Sequence, residues 1–335
     1  MYPIWEDFFV NIGTSQSTQF RIKVGDDVIY SGRSYKRPGA TTNNIRINDI
    51  CADYLKRIVP YLSQGYVTEF DLPTFVIEAY VSSSWVSKGS VQFYNDWSYD
   101  SSFNPTTMGL SAPINGHLDA RQPFLLSIVQ STGVTMVLHK TDGTTQSVTI
   151  SFGEPGSYGN AFSNGFNKMI TASKTGVLAI DLSQYSDVDY LTIGSRKFDV
   201  VTDCGEWVLY YANAYGGWDS FLIEGSTRIA DNLTRHTRET EYDNSEILER
   251  GKEDYAIEID KAYSLVTGWL ADDESERMHH LLNSVDVYLY NINSGEMMPV
   301  ILTNTQTEYK TFKGNGGKMV NYTIEATLSQ ERLRR

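Results

Sequence analysis

The stretch FLLSIVQSTGVTMVLHKTDGTTQSVTIS, residues 124–151, decides the fold class of this chain. It contains three short runs, Phe124–Gln130, Val134–His139 and Gln146–Ser151, and an Asp-Gly turn at 141–144 separates the last two. Apolar and β-branched residues suit a pleated, half-buried surface, whereas Gly and Asp mark tight turns. The stretch therefore predicts consecutive short strands.

The same pattern continues to residue 224. Further strands are predicted at Gly176–Ile180, Tyr190–Ile193, Lys197–Val201 and Trp207–Tyr211. Seven short strands in about 100 residues are typical of a β-sandwich of immunoglobulin or fibronectin type, which we place at 119–224.

One long interruption of that region, residues 152–167, is rich in Gly, Ser and Asn. It is either a solvent-exposed loop or a loop that contacts a neighbouring subunit, because loops carry recognition and aromatic residues anchor interfaces. Its interface candidates are Tyr158, Phe162 and Phe166.

An N-terminal β-rich domain is predicted over 1–118. Gln19–Val24 and Val28–Ser31 flank a Gly-Asp-Asp loop and predict a hairpin, and strands follow at Thr74–Ser82 and Ser90–Asn95. A helix is predicted from Asn48 to about Ile58. Its cap is Asn48 or Asp49, and its buried face is formed by Ile50, Tyr54, Leu55 and Ile58.

Residues 225–254 are dense in charged and polar residues without apolar periodicity, which predicts an extended linker or arm. The last region, 255–335, predicts a small α+β domain with one helix packed on a sandwich. Its helix runs over Asp272–Ser284 and buries Met278, Leu281 and Leu282. Because each sandwich carries its own strands, we expect residues 1–224 to fold without this domain.

The composition limits the classes of partner. The formal charge of −13 makes the chain a poor binder of nucleic acid and of anionic membranes, although an acidic channel wall would let DNA slide past. No window is apolar enough to span a bilayer, and Met1–Asp7 resembles no signal peptide. We therefore expect a protein that is made and kept in the cytoplasm, or that leaves by a route that needs no signal. The two cysteines, Cys51 and Cys204, are interpreted as buried thiols.

Motifs that carry chemistry are missing from the sequence. There is no His-Glu-x-x-His, no Gly-x-Ser-x-Gly and no phosphate-binding glycine loop before a helix. His279 and His280 are adjacent on the predicted helix and point about 100° apart, so they cannot share a metal. We therefore predict no enzyme activity, no catalytic or metal-binding residues and no cofactor, although a carboxylate pair for glycoside hydrolysis stays open.

One aromatic segment, residues 210–221, is distinctive. It is either a final strand followed by a Gly-Gly bend whose aromatic residues cover the open end of the sandwich, or a hinge between domains or subunits. Its interface candidates are Tyr215, Gly216, Gly217, Trp218 and Phe221.

Three parts of the chain resemble tail-region structural proteins encoded by phages and prophages of gut Bacteroidetes. They are Ile29–Arg33 with Pro38-Gly39, then Asn213–Phe221, and then Thr267–Leu270 with the helix and strands after it. The order of strands and helix at the C-terminus also looks like the tail-tube fold, in which small sandwiches with one helix form stacked rings.

The resemblance implies a tail hub, adaptor or baseplate protein of the virion. Such a protein would form a homo-oligomeric ring with other virion tail proteins as partners, and Trp269 joins the interface candidates. The alternative is a carbohydrate-binding or adhesive β-sandwich protein that stacks exposed Trp and Tyr on sugars, and a glycan-active hydrolase is a third hypothesis.

Overall fold

The computed structural model describes residues 2–55, 59–60, 62, 67–98, 115–129, 134–150, 174–185, 187–202, 205–239, 252–304, 320–329 and 332–334. Strands account for 62% and helices for 6% of the structure, so the predicted mainly β class is confirmed. The chain divides into two compact units. Unit 1 is formed by residues 1–113, 123–196 and 212–219, and unit 2 by residues 114–122, 197–211 and 220–335.

The elements follow in chain order. Up to residue 98 they are β1 (Tyr2–Pro3), β2 (Phe9–Gly13), β3 (Ser17–Val24), β4 (Asp27–Tyr35), β5 (Asn43–Arg46), α1 (Asn48–Ala52), β6 (Val67–Asp71), β7 (Thr74–Val81) and β8 (Ser84–Tyr94). From residue 115 to residue 212 they are β9 (Gly116–Asp119), β10 (Pro123–Val129), β11 (Val134–Lys140), β12 (Thr145–Ile150), β13 (Lys174–Asp181), a 3₁₀ turn (Leu182–Gln184), β14 (Val188–Ile193), β15 (Arg196–Val201) and β16 (Trp207–Ala212). The remainder are β17 (Trp218–Ile223), β18 (Thr227–Glu239), β19 (Lys252–Val266), α2 (Asp272–Leu282), β20 (Val287–Asn291), β21 (Met297–Leu302), β22 (Thr323–Leu328) and β23 (Arg332–Arg334).

The first sheet of unit 1 has the order β1-β8-β7-β3-β4, and β2 pairs separately with β5. Alternate residues of its central strands point inward, so that Ile22 lies opposite Ile77 and both are fully buried. Phe75 and Phe93 join the same core cluster. Burial of each such side chain contributes roughly 1.5–3 kcal/mol, which explains why the apolar residues of these strands recur at every second position.

The hairpin predicted between Gln19 and Ser31 is confirmed, and strands are present at the two later predicted positions. Strands β3 and β4 are joined through Gly25, whose φ of 60° is the left-handed conformation that glycine adopts readily. Strand β8 begins at Ser84, six residues before the predicted start at Ser90, and Ser82 and Ser83 form the turn with φ values of 50° and 65°. The first half of β8 has exposed side chains, and the apolar pattern that predicts a strand is therefore weak there.

The helix predicted at Asn48–Ile58 is shorter in the structure, because α1 ends at Ala52. Asn48 is not its side-chain cap. It is buried, its Nδ2 donates to the carbonyls of Ile4 and Glu6, and its Oδ1 accepts from the N–H of Phe8. The amide thus satisfies backbone groups of the N-terminal segment. Tyr54, expected on the buried face, is 38% exposed, and Ile58 lies outside the described residues.

The seven strands predicted between residues 124 and 211 are all present, as β10 to β16. In unit 1, β13 lies between β10 and β6, and β11 pairs with both β12 and β14. The turn between β11 and β12 contains Gly143 with a φ of 82°. Glycine adopts this conformation readily, which explains why the Asp-Gly pair predicts a turn here. Residues 152–167, and with them Tyr158, Phe162 and Phe166, lie outside the described residues.

The main sheet of unit 2 has the order β17-β16-β20-β21-β22-β19-β18, with β23 beside β19. Strand β9 pairs in parallel with β15. Helix α2 lies close to its predicted position. Met278 and Leu281 are fully buried in the core cluster with Leu289 and Ile324, and Leu282 packs against that cluster. The predicted apolar stripe of the helix is confirmed.

Two features of unit 2 differ from the sequence interpretation. Strand β16 pairs with β20 from Trp207 opposite Asn291 to Tyr211 opposite Val287, across the boundary predicted at residue 224. In addition, residues 227–239 of the predicted linker form a regular strand, and β19 begins at Lys252, also inside the predicted linker. Both differences arise because main-chain groups of distant residues pair with each other. Local sequence patterns do not predict such pairing.

Candidate assembly surface

Strands β18 and β19 form a long antiparallel ribbon in unit 2. The 13 residues of β18 pair with β19 from Thr227 opposite Leu265 to Glu239 opposite Lys252. The segment contains neither Pro nor Gly, so nothing in its sequence interrupts an extended strand. The polar composition that predicts a linker belongs instead to β18, a strand whose side chains are mostly exposed.

Ion pairs link the two strands of the ribbon. Arg235 Nη1 lies 2.7 Å from Asp254 Oδ2, Lys252 Nζ lies 2.9 Å from Glu239 Oε1, and Arg238 pairs with Glu253. Each exposed pair contributes at most about 1 kcal/mol. Together they favour one register, because a shift of one residue would move every charged side chain to the opposite face.

Apolar residues on one face of the ribbon remain exposed. Ile229 and Leu233 are 48% and 53% exposed, and Leu233 lies directly opposite Ile259 of β19. Asp231 and Arg235 alternate with them on the same face, because side chains two residues apart on a strand point to the same side. Along β18 this face therefore presents an apolar, an acidic, an apolar and a basic side chain in turn.

The outer edge of β18 is the last position in its sheet. In the part of the chain that the structure describes, no strand pairs with that edge. Natural edge strands are usually short or are interrupted by Pro, a bulge or an inward-pointing charge, since a long regular edge invites pairing with another chain. The single register shift lies near the end of the strand, between His236 and Thr237. Most of β18 is thus a regular template for a further strand.

The aromatic segment predicted as a hinge or cover lies inside the molecule. Tyr215, Trp218 and Phe221 are 7%, 3% and 5% exposed. Asn213 organises the bend, because its Oδ1 accepts from the N–H groups of Tyr215 and Gly217. The aromatic side chains of this segment are therefore buried within the chain.

Gly216 has a φ of 88°, and a Cβ there would lie 2.8 Å from the carbonyl oxygen of Asn95 in the same unit. This position therefore requires glycine for packing within the chain. Among the described interface candidates Trp269 stands apart, with 63% of its surface exposed.

A half-buried cluster of charges in unit 2 has no counterpart in the sequence interpretation. His117 Nδ1 lies 2.7 Å from Glu224 Oε1, and His117 Nε2 lies 3.0 Å from Glu274 Oε1. Glu274 also accepts the N–H of Ala271 through Oε2 at 3.0 Å, at the start of α2. The cluster connects β9, the segment before β18 and the first turn of the helix.

The two carboxylates determine the protonation of the ring. Hydrogen bonds to Glu224 and then to Glu274 raise the pKa of His117 to about 10. The bond with His117 lowers the pKa of Glu274. At neutral pH both ring nitrogens carry a proton and donate it, so the ring has no lone pair with which to accept a proton from a substrate. The cluster is therefore suited to holding elements together.

Arg277 lines the same pocket as the charges of this cluster. It is 4% exposed, its Nη2 donates to the carbonyl of Ser220 at 2.6 Å, and its Nη1 donates to the carbonyl of Asn115 at 3.2 Å. A Cβ at residue 116 would lie 1.9 Å from Nη1, which is why this position is Gly116. The residues border a pocket of about 300 Å³ that includes open solvent.

No pattern in the sequence predicts this cluster. His117 is separated from Glu224 by 107 residues, and Glu274 is expected only as part of an acidic first helical turn. Within the described residues, no group of His, Cys, Asp and Glu is arranged to hold a metal ion. The helices in this part of the chain are all too short or too polar to cross a membrane.

Comparisons of the chain with protein-family models, with curated proteins and with solved structures find no match.

Proposed function

We propose that the protein is a non-enzymatic structural component of a bacteriophage tail, a hub, adaptor or baseplate protein that works by assembling with further copies of itself and with other tail proteins. The observation that carries this proposal is the regular, exposed edge of β18. Such an edge favours assembly, because main-chain groups that pair with no strand among the described residues can pair with a further strand.

The order of elements supports the tail assignment. In this proposal residues 255–335 act as a tail-tube-like domain after two sandwich domains, and its helix is α2. The packing of Met278 and Leu281 into a β core agrees with one helix on a sheet. The acidic chain, with a formal charge of −13, suits a ring through which DNA passes without binding.

The first experiment measures the mass of the purified full-length chain by light scattering over a range of concentrations, and images the particles by negative-stain electron microscopy. We expect oligomers, and rings when neighbouring tail proteins are added. A chain that stays monomeric alone and with every tail protein encoded beside it would contradict the proposal. Genes for tape-measure and tail-tube proteins next to this one would support it.

A second candidate, a carbohydrate-binding protein, rests on an exposed aromatic pair in unit 1. The rings of Tyr80 and Trp85 lie 5.2 Å apart at the β7–β8 hairpin, and the two residues are 43% and 36% exposed. Arg21 lies over the Trp85 ring at 4.4 Å. Exposed aromatic faces are the surfaces on which sugar rings stack.

This candidate is tested by titrating a panel of oligosaccharides with tryptophan fluorescence as the readout. Binding that Trp85→Ala abolishes and Trp269→Ala preserves would favour it over assembly. No change with any sugar would remove it.

A further inference from the structure

We infer that β18 pairs in antiparallel fashion with β18 of a second copy of this chain, about a twofold axis at Leu233. This inference rests on the proposed assembly function and names the surface and the occupant. It begins from the edge of β18, where Ile229 and Leu233 are exposed on a strand without Pro or Gly.

The order of charges along β18 favours a second copy as its partner. About an axis at Leu233, the leucine meets its own copy, Asp231 lies opposite Arg235 of the other copy, and Arg235 lies opposite Asp231. One apolar pair and two opposite-charge pairs therefore occupy the centre of the same face. Pairs directly opposite each other on neighbouring strands are the contacts that stabilise a sheet.

Neighbouring registers lose this match. An axis at Asp231 or Arg235 places like charges directly opposite each other, and an axis at Asn232 or Thr234 places no ion pair at the centre. In the register centred on Leu233, Arg228 meets Arg238 near the ends of the interface. This contact costs little, because both arginines are exposed near the ends of the interface, where water and salt screen their repulsion.

The charge of the whole chain also favours this strand as the contact. Two copies with a formal charge of −13 each repel one another over most of their surface. In β18 the arginines outnumber the acidic residues, so the repulsion is weakest where the strands meet. A twofold interface is closed and by itself gives a dimer, so a ring requires a second, different contact.

Charge exchange in the full-length chain tests the pairing. Asp231→Arg and Arg235→Asp each place like charges opposite each other, and we expect each to raise the dimer dissociation constant about tenfold or more. The double variant restores opposite charges across the axis and should recover the dimer. Within its own ribbon the same double variant puts a positive charge near Lys261 and a negative charge near Asp254, so recovery cannot come from better contacts inside one copy.

Leu233→Lys should weaken the dimer, whereas Ile301→Lys should not, because Ile301 is 57% exposed but lies on β21. Circular dichroism and thermal melting confirm that each variant is folded. As an independent measurement, Leu233→Cys should form a disulfide between copies under mild oxidation. Ile229→Cys, on the same face, should not, because it lies opposite Thr237 and not opposite itself.

The outcomes separate the two proposals. If the wild-type chain associates and neither the charge exchange nor Leu233→Lys alters its mass, the β18 pairing is wrong and the assembly function stands. If the wild-type chain stays monomeric at every concentration and with every tail protein, the assembly function fails as well. Loss in both single charge variants with recovery in the double variant supports the pairing.

Discussion

Strands β16 and β18 belong to one sheet of unit 2 but have opposite environments. All six residues of β16 are buried, from Trp207 to Ala212, whereas β18 has mostly exposed residues over its whole length. Strand β16 has a neighbour on each side, and β18 is the last strand of the sheet. The comparison shows that main-chain pairing, together with exposed ion pairs, can order a strand that buries little, and that apolar burial determines which strand stabilises the fold.

The largest expected effect is the removal of residues 225–335. This truncation takes β20 away from β16, exposing Trp207, Leu209 and Tyr211 and leaving their main-chain groups unpaired. We expect an insoluble or partly unfolded product in place of the folded fragment that the sequence suggests for 1–224. Soluble expression and proteolysis measure this, and a stable, cooperative fragment would show that β16 does not depend on β20.

Two leucines provide a matched pair for the next effect. Leu209 is fully buried in β16 and Leu233 is 53% exposed in β18. Leu209→Ala should lower the free energy of unfolding by about 2–5 kcal/mol through lost burial and a cavity, whereas Leu233→Ala should lower it by less than about 0.5 kcal/mol. Denaturant unfolding at concentrations where the chain is monomeric measures both. Similar losses in the two variants would refute the comparison.

His117→Gln should have an intermediate effect that depends on pH. The pKa of His117 is raised from 6.5 to about 10 in the folded protein, so its stabilisation is complete below pH 6.5 and is lost as the pH rises towards 10. We expect the variant to be less stable by about 1–3 kcal/mol at low pH, the range for hydrogen bonds to charged groups.

The difference between wild type and the His117 variant should shrink steadily above pH 6.5. Because the pKa of Glu274 is lowered, the wild type should also lose stability in acid as that carboxylate becomes protonated. Melting temperatures across the pH range measure both the shrinking difference above pH 6.5 and the loss of stability in acid. A difference that does not change with pH would assign the role of His117 to packing.

The smallest effect expected from losing a polar contact is that of Arg235→Gln on the monomer. This pair with Asp254 is exposed, so its loss should cost less than about 1 kcal/mol, and added salt should reduce the difference further. Chemical denaturation at low and high ionic strength measures it. A loss comparable to that of Leu209→Ala would mean that this exposed pair stabilises the fold as much as a buried core residue does.

Local patterns predicted the parts of the fold that depend on neighbouring residues. The strands from Phe124 to Tyr211 and the buried face of α2 follow from periodicity. Gly25 marks the turn between β3 and β4, and Gly143 marks the turn between β11 and β12. Asn48 shows the limit of this reasoning, because a residue that suits a helix cap instead bonds to backbone groups about 40 residues away.

The sites depend on distant pairs and were therefore not predicted. Arg235 finds Asp254 only after β18 and β19 pair in the observed register. His117 and its carboxylates lie far apart along the chain and share no spacing that a motif could detect. The aromatic residues near residue 215 left two interpretations open, a cover and a hinge, because Trp and Tyr occur at interfaces and the same residue types also fill cores.

The ion pairs along the β18–β19 ribbon have a consequence for the kinetics of association. An unstructured segment loses roughly 1–2 kcal/mol of backbone entropy per residue when it becomes ordered on a partner. The residues of the ribbon lose this entropy when the monomer folds and not when two copies associate. Two copies would therefore dock as rigid bodies. We expect fast association and a small change in heat capacity, without the large change that accompanies coupled folding and binding.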